Sequence, residues 1–398
     1  MDNSLTRKKV LIPGGKTSDQ ALVEAAHELG LFVITSGNDT SAPAHKVSDK
    51  YICADYSNRE LMLEIATTEQ VDYMCSSAND IALVSTSYVC EKLGLPGHDS
   101  YETTITLHHK DRFKEMAQKL NLHVPEGEGF DDEDKALSYA MSKDYPVIIK
   151  PVDLVGGNGI SKAITKEEKE AGIRKAFDSS LKKHIVIERF INGTSHSFAT
   201  FIINKRVVAY YSDNEYTFYG AFKMSTSSAP ATNISSIAPI VIEDAEKVAQ
   251  YLNLVDGRLH IQYILEDGIP YILEMTRRAC GDLFSIPASK ALGIDTSKWI
   301  VKAECGFDLS DFPAGVKQTG FHGKHCIVAP RNGKIRNVTI DPALSKYVYK
   351  ELSWWKPGYE ITNWLVECVG LLFYSFDSEE NMLEIVPHII DYIHFDFY

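Results

Sequence analysis

The sequence predicts an α/β and α+β chain that opens on a doubly wound domain. Three observations carry this: strand-like and helix-like runs alternate up to about residue 100, glycine turns separate them, and hairpin-patterned β runs dominate later. With 398 residues the chain exceeds one ordinary core, so roughly two or three packed units are expected. The changing run of strand-like and helix-like segments places the boundaries at 1–105, 106–206, 207–320 and 321–398.

Taken in order, "KKVLIPGG" is a short β run ending in a Pro-Gly-Gly turn, "SDQALVEAAHELG" has helical spacing up to Gly30, and "LFVITSG" is strand-like again. That βαβ start implies a parallel sheet. "KYICADY", a helix over 59–67, the strand "VDYMCSS" and the helix "ANDIALVSTSYVCEKLG" continue the alternation to the "GLPG" turn at Gly94–Gly97. A helix over Leu107–Leu120 follows, with His108 and His109 at its entry, then short strands with one charged helix over Lys166–Ser180. Beyond 207 come the strands "RVVAYYSD", "RLHIQYIL" and "IPYILEMT", with a helix near Asp244–Leu252. The strand-rich tail from 321, with the aromatic "SWWKPGYEITNW", reads as a small appended subdomain whose aromatics pack as a core or line a substrate pocket.

Bulk numbers exclude several classes. A hydrophobic share of 44% with 24% charged residues is that of a globular protein. A net charge of -13 argues against nucleic-acid or anionic-membrane partners, which need clustered Lys and Arg. No apolar run is long enough for a bilayer span, and the first residues lack a signal peptide's apolar region, so a cytoplasmic location is expected. The seven scattered cysteines, none in CxxC spacing, read as reduced thiols.

Two motifs fail on inspection. "PGGKT" at Pro13–Thr17 ends like a P-loop, but the required first glycine would fall at Val10. "HGKHC" at His322–Cys326 has no second ligand pair nearby and reads as a surface turn rather than a zinc site. "YPVIIKPVDLVGGNGISK" is more informative: an apolar strand ends on Lys150, and Gly156, Gly157 and Gly159 follow. Glycines let backbone N–H groups converge on an anion and lysine supplies a point charge, although a bland loop has the same composition. "HIVIERFING" puts Glu188 at a strand end, either as a solvated charge or as part of an edge that reads an adenine. In "LHIQYILEDGIPYILEMTRRACG", "EDG" marks a hairpin turn. Centred on residue 268, the hairpin sets Gln262 opposite Glu274, with Thr276 on the same face. Such a row of oxygens is either a magnesium-binding face or an ordinary polar surface.

These pieces in this order resemble the carboxylate–amine ligases of the ATP-grasp superfamily, the group of carbamoyl-phosphate-synthetase-like, biotin-carboxylase-like and L-amino-acid-ligase-like enzymes. The resemblance runs from about residue 8 to about residue 310 and implies an ATP-grasp fold behind an N-terminal pre-ATP-grasp domain. It implies that Lys110 in "HHKDRFK" and Lys150 neutralise ATP phosphates under the Gly156, Gly157 and Gly159 loop. It places the adenine at Glu188 and the backbone of Arg189 and Ile191, with His196 near the ribose, where many relatives have a glutamate at the Ser195 position. Gln262, Glu274 and Thr276 stand where the family has magnesium (or manganese) ligands, usually Glu, Glu and Asn. Arg278 matches the arginine that steadies an acyl phosphate, and Lys223 in "FKMSTSSAP" a basic residue of the central loop. Cys280 is expected to line the pocket without acting as a nucleophile.

The resemblance implies phosphorylation of a small carboxylate by ATP and capture of the acyl phosphate by an amine, releasing ADP and phosphate. A bicarbonate-using carboxylase or carbamoyl-phosphate-type enzyme, and an ATP-binding regulator without turnover, are the alternatives; Gln262 and Thr276 motivate the last. Small-molecule acid and amine substrates are the expected partners, and a homodimer is among the open oligomeric states.

Overall fold

A computed structural model describes residues 7–154, 159–219, 224–365 and 367–398. Gly156, Gly157 and Lys223 lie outside the described residues.

The first unit comprises β1 (Lys9–Pro13), α1 (Thr17–Glu28), β2 (Phe32–Gly37), β3 (Lys50–Cys53), α2 (Arg59–Glu69), β4 (Tyr73–Met74) and α3 (Asp80–Leu93). Its four strands are parallel in the order β3-β2-β1-β4. Strand β1 is buried on both faces: Val10 and Ile12 enter one core and Leu11 the other, as a centrally placed parallel strand requires. The start of α3 is set by Asn79, whose side chain accepts from the N–H groups of Ile81 and Ala82. That cap leaves Asp80 in the first helical turn, a position that favours a carboxylate.

Next come α4 (Tyr101–His108) and α5 (Lys110–Lys119). The single helix expected over Leu107–Leu120 is broken at His109, whose backbone is extended. The break opens α5 on Lys110 and turns that side chain toward the small sheet. That sheet is built from β5 (Gly127–Phe130), β6 (Val147–Pro151), β7 (Ser161–Ala163) and β8 (Ile185–Arg189), ordered β5-β8-β6-β7. Helices α6 (Glu133–Met141) and α7 (Lys166–Ser179) cover its apolar face, where Val147, Ile149, Ile185 and Ile187 pack. Alternation sends Ile148, Lys150 and Glu188 to the other face.

The large sheet draws on β9 (Thr194–Ile203), β10 (Arg206–Tyr216), β11 (Thr226–Ala229), β12 (Gly257–Glu266) and β13 (Ile269–Thr276). Helices α8 (Ile234–Tyr251), α9 (Ser285–Leu292) and α10 (Thr296–Glu304) belong to the same stretch. Helix α8 begins ten residues before the expected Asp244, running through Pro239 (244 − 234 = 10). The proline gives up one backbone hydrogen bond, but Ile237, Val241, Ala245 and Val248 still form one buried stripe.

The remaining elements are β14 (Phe321–Val328), β15 (Gly333–Ile340), α11 (Pro342–Ser345), β16 (Val348–Ser353), β17 (Glu360–Ile361), β18 (Cys368–Phe376), α12 (Glu379–Ile385) and β19 (Ile393–Phe397). Strands β14, β18 and β16 extend the large sheet to eight, in the order β13-β12-β9-β10-β11-β14-β18-β16, while β17-β15-β19 form a separate ribbon. The tail is therefore continuous with the central sheet, because β14 pairs with β11. "HGKHC" is corrected by the same pairing: it lies inside β14, with Lys324 and His325 fully buried. Trp355, Tyr359 and Trp364 of the aromatic segment pack against the tail's core, whereas Trp354 is exposed. Among the described residues no helix is long and apolar enough to cross a membrane.

Candidate active site

The hairpin β12–β13 sets the site's geometry. Asp267 and Gly268 both have positive φ, 52° and 81°, which makes a two-residue turn. Near the turn the register therefore differs by one from a hairpin centred on 268: Glu266 pairs with Ile269 and Ile264 with Tyr271. A bulge at Leu273 then restores the expected pairing of Gln262 with Glu274 and sets Thr276 opposite His260. Packing accounts for the bulge, since Ile272 and Met275 are three residues apart yet enter the same core.

Lys110 and Lys150 approach the same space from the other side. Lys110 Nζ donates to the carbonyl of Leu154 at 2.9 Å, just before the glycine segment. Burial lowers its pKa, and Glu274, Lys150, Asp80 and Glu188 are the charges acting on it. Glu188 is not a free strand-end carboxylate. Its oxygens are taken by Lys150 Nζ at 2.6 Å and Lys114 Nζ at 2.8 Å. Burial pushes the carboxyl up, but the two ammonium groups outweigh it and hold the group at about 2.

A sign follows for stability. The folded Glu188 carboxyl lies below its ordinary value of about 4.3, so its contribution is present above that value and lost as the pH falls toward about 2. Urea midpoints of wild type and Glu188→Gln should differ clearly near neutrality and converge between about pH 4 and about pH 2. A difference that stays constant across that range would show that the carboxylate's charge is not what the two lysines need.

Of the rest of the expected adenine edge, the Arg189 N–H already donates to the Glu126 carbonyl at 2.8 Å. Its guanidinium bridges to Glu266 of the hairpin at 2.8 Å, and Ile191 is buried. His196 does not join the group: it lies opposite Tyr263, stacked at 5.1 Å, on the sheet face away from Gln262. Burial lowers its pKa to about 4. Gly159 is described, with a left-handed φ of 73° against Pro151.

Thr276 and Arg278 meet Asp80 of the first unit. Thr276 Oγ1 donates to Asp80 Oδ1 at 3.2 Å, and the guanidinium makes a two-pronged contact, Nε to Oδ1 at 2.9 Å and Nη2 to Oδ2 at 2.8 Å. Burial works against the Asp80 charge, yet Arg278 and His108 bring its pKa down. Cys280 sits beside Arg258 Nη2, and burial pushes its thiol up, so it has no thiolate character.

Sequence reasoning missed Asp80, Lys114, Asp213, Glu215 and Lys324. Gln262 Nε2 donates to both oxygens of Glu215, at 2.9 and 2.9 Å, so a carboxylate stands behind the glutamine. The alternation of Asp213 and Glu215 in "YYSDNEY" was a visible signal for one acidic strand face. Lys324 carried none, being hidden in a segment read as a turn.

With the amide nitrogen of Gln262 committed to Glu215, its Oε1 is the oxygen left for a cation, on the strand position opposite Glu274. Among the described residues no cluster of three or more His, Cys, Asp or Glu could hold a metal ion alone. That donor set suits Mg²⁺, which commonly takes one or two carboxylates and completes its shell from phosphates and water.

Residues 109–312 match the family described as the carbamoyl-phosphate synthase L chain, ATP binding domain. A curated relative, the C-terminal section of the carbamoyl phosphate synthase large chain of Methanocaldococcus jannaschii, is 24% identical over 335 residues, covering 78% of this chain and 53% of its own length. The chain spans about half or less of the curated relatives it matches. Among solved structures, the L-amino acid ligase from Bacillus licheniformis superposes with a TM-score of 0.82 at 20% identity, over 98% of this chain and 99% of its own. The biotin carboxylase domain of Hydrogenobacter thermophilus 2-oxoglutarate carboxylase, solved with MgADP, ADP and bicarbonate, superposes at 0.78 with 18% identity, over 98% and 90%. These likenesses show that the fold is ATP-grasp.

Proposed function

The chain belongs to the family of the carbamoyl-phosphate synthase L chain, ATP binding domain, and from that premise we propose that it is an ATP-dependent carboxylate–amine ligase of small molecules. The observation that supports the reading is that Glu274, Lys150, Asp80 and Glu188 all act on the charge of Lys110, whose Nζ donates to the Leu154 carbonyl at 2.9 Å. A carboxylate resists nucleophiles because attack adds charge to an anion. Transfer of the γ-phosphoryl group makes it an acyl phosphate with a good leaving group, and an amine then displaces phosphate to give the amide.

The protein's part is positioning and charge neutralisation. Lys110 and Lys150 take phosphate oxygens, Lys150 exchanging Glu188 for nucleotide while Lys114 keeps that carboxylate paired. Arg278, held by Asp80 and with Nη1 also donating to the Ala279 carbonyl, would offer its remaining N–H groups to the activated carboxylate. Glu274 and the Gln262 amide oxygen would hold Mg²⁺, which would supply charge neutralisation to the triphosphate. Gly156, Gly157 and Lys223 keep the roles proposed for them by resemblance: cover over the phosphates and a basic group of the central loop.

An ADP-release screen over paired acids and amines, with mass detection of the product, tests the reading. Release only when both substrates are present is the expected result. The bicarbonate found with one structural neighbour favours a second reading, and release that needs bicarbonate but no other acid would replace the first. Glu274→Gln should leave ATP bound and cut magnesium-dependent turnover by about 100-fold or more, as for loss of one charge-stabilising group. Normal turnover at low magnesium would remove the hairpin from the metal site.

A further inference from the structure

One carboxylate at the tip of the β12–β13 hairpin holds the segment that joins the two sheets. Strand β8 ends at Arg189 and β9 begins at Thr194, so residues 190–193 carry the chain from the small sheet to the large one. Among the described residues no strand of the small sheet pairs with the large sheet. The path of this short segment therefore bears directly on how the Lys150 face meets the Gln262 face.

Glu266 follows Gln262 and Ile264 on β12, and side-chain alternation puts all three on one face. Both of its oxygens are spent on the joining segment: Oε2 accepts from Arg189 Nη2 at 2.8 Å and Oε1 from the Asn192 N–H at 2.7 Å. These two partners hold its carboxyl below the usual carboxylate range. The Arg189 guanidinium also lies over the Tyr271 ring, 5.0 Å from its centroid, so both strands of the hairpin grip the arginine. Gly193 completes the contact. A Cβ there would collide with the Leu265 carbonyl oxygen, so glycine is what lets the segment run flush against β12.

The grip leaves one donor open. The N–H of Arg189 goes to the Glu126 carbonyl, that of Phe190 to the Pro146 carbonyl and that of Asn192 to Glu266. Ile191 is 3% exposed, yet its N–H has no hydrogen-bond partner among the described residues. Buried backbone N–H groups are seldom left this way. Adenine offers the acceptor such a donor needs, a ring nitrogen that carries no hydrogen. In hypoxanthine the same ring position carries one and cannot accept.

We infer that Glu266 is a positioning residue for the nucleotide base: from the hairpin tip it fixes residues 189–192 and so aims the Ile191 N–H at the purine ring. The inference rests on the ligase reading and gives base discrimination to a side chain that does not itself touch the base. A part-exposed ion pair without this role would add a little stability and leave nucleotide choice alone.

The test measures equilibrium binding of ATP and of inosine triphosphate, both with magnesium, to the full-length protein. Wild type should favour ATP. Glu266→Gln keeps an acceptor for Asn192 but loses the charge that holds Arg189. It should weaken ATP by roughly three- to tenfold, the worth of one hydrogen bond, leave inosine triphosphate nearly unchanged, and move the urea midpoint little. Arg189→Met should reproduce the loss, and the double variant should lose no more than either single one, since both act through one contact. An unchanged preference in Glu266→Gln, losses that add in the double variant, or a wild type that binds both nucleotides equally overturns the inference. A midpoint that falls while the preference stays makes the ion pair structural only and overturns it too. If wild type binds neither nucleotide, the ligase reading itself fails; if it binds ATP and Glu266→Gln binds it equally well, only the positioning role fails. Should Arg189→Met not fold, Glu266→Gln decides alone.

Discussion

Lys150→Ala is expected to raise the dissociation constant for ATP by roughly 10- to 100-fold, the worth of one charged hydrogen bond, and to reduce turnover by about 1,000-fold. The two effects differ in size because charge on the transferring phosphoryl group grows toward the transition state, where a fixed ammonium counts most. The fold should survive. Removal of Lys150 leaves Glu188 with Lys114 Nζ at 2.8 Å, and the apolar face of β6 still packs through Val147 and Ile149. Equilibrium ATP binding and steady-state ADP release measure the two effects separately. A variant that binds ATP as wild type does, and turns over as fast, would take the nucleotide away from Lys150.

The second large effect belongs to Arg278→Ala. Its guanidinium joins the large sheet to the first unit through both oxygens of Asp80. The pair is partly buried, so loss of one member costs up to about 3 kcal/mol, and the urea midpoint should fall. Turnover should fall by about 100-fold or more while ATP affinity holds, as expected if the arginine meets the acid, as proposed, and not the nucleotide. Arg278→Lys separates the two roles: the charge is kept, the two-pronged contact is lost, and stability should recover more than turnover. Equal loss of ATP affinity and turnover in Arg278→Ala would move the arginine to the nucleotide site.

Much of this was legible because it is local. The βαβ alternation, the strand ending on Lys150, and the pairing of Gln262 with Glu274 depend on periods of two and 3.6 residues and on turn chemistry. Even so, the last of these was reached by a compensation of two departures. The two-residue turn at Asp267–Gly268 shifts the register by one and the bulge at Leu273 shifts it back. The break at His109 and the long α8 were not legible, because packing of one apolar stripe outweighed a proline and no breaker residue marks the histidine.

By itself, the sequence determined the fold class and the doubly wound start, since both depend on spacing along the chain. Only the tertiary structure decided who partners whom across long separations. It locked the Glu188 carboxylate between Lys114 and Lys150, tied Arg278 to Asp80, turned His196 to the far face of the sheet, and carried Lys324 from an apparent turn into a buried strand beside Asp213 and Glu215. The physical reason is that strand order fixes which charges share a face, and strand order comes from contacts between β10, β11 and β14 that no local pattern encodes.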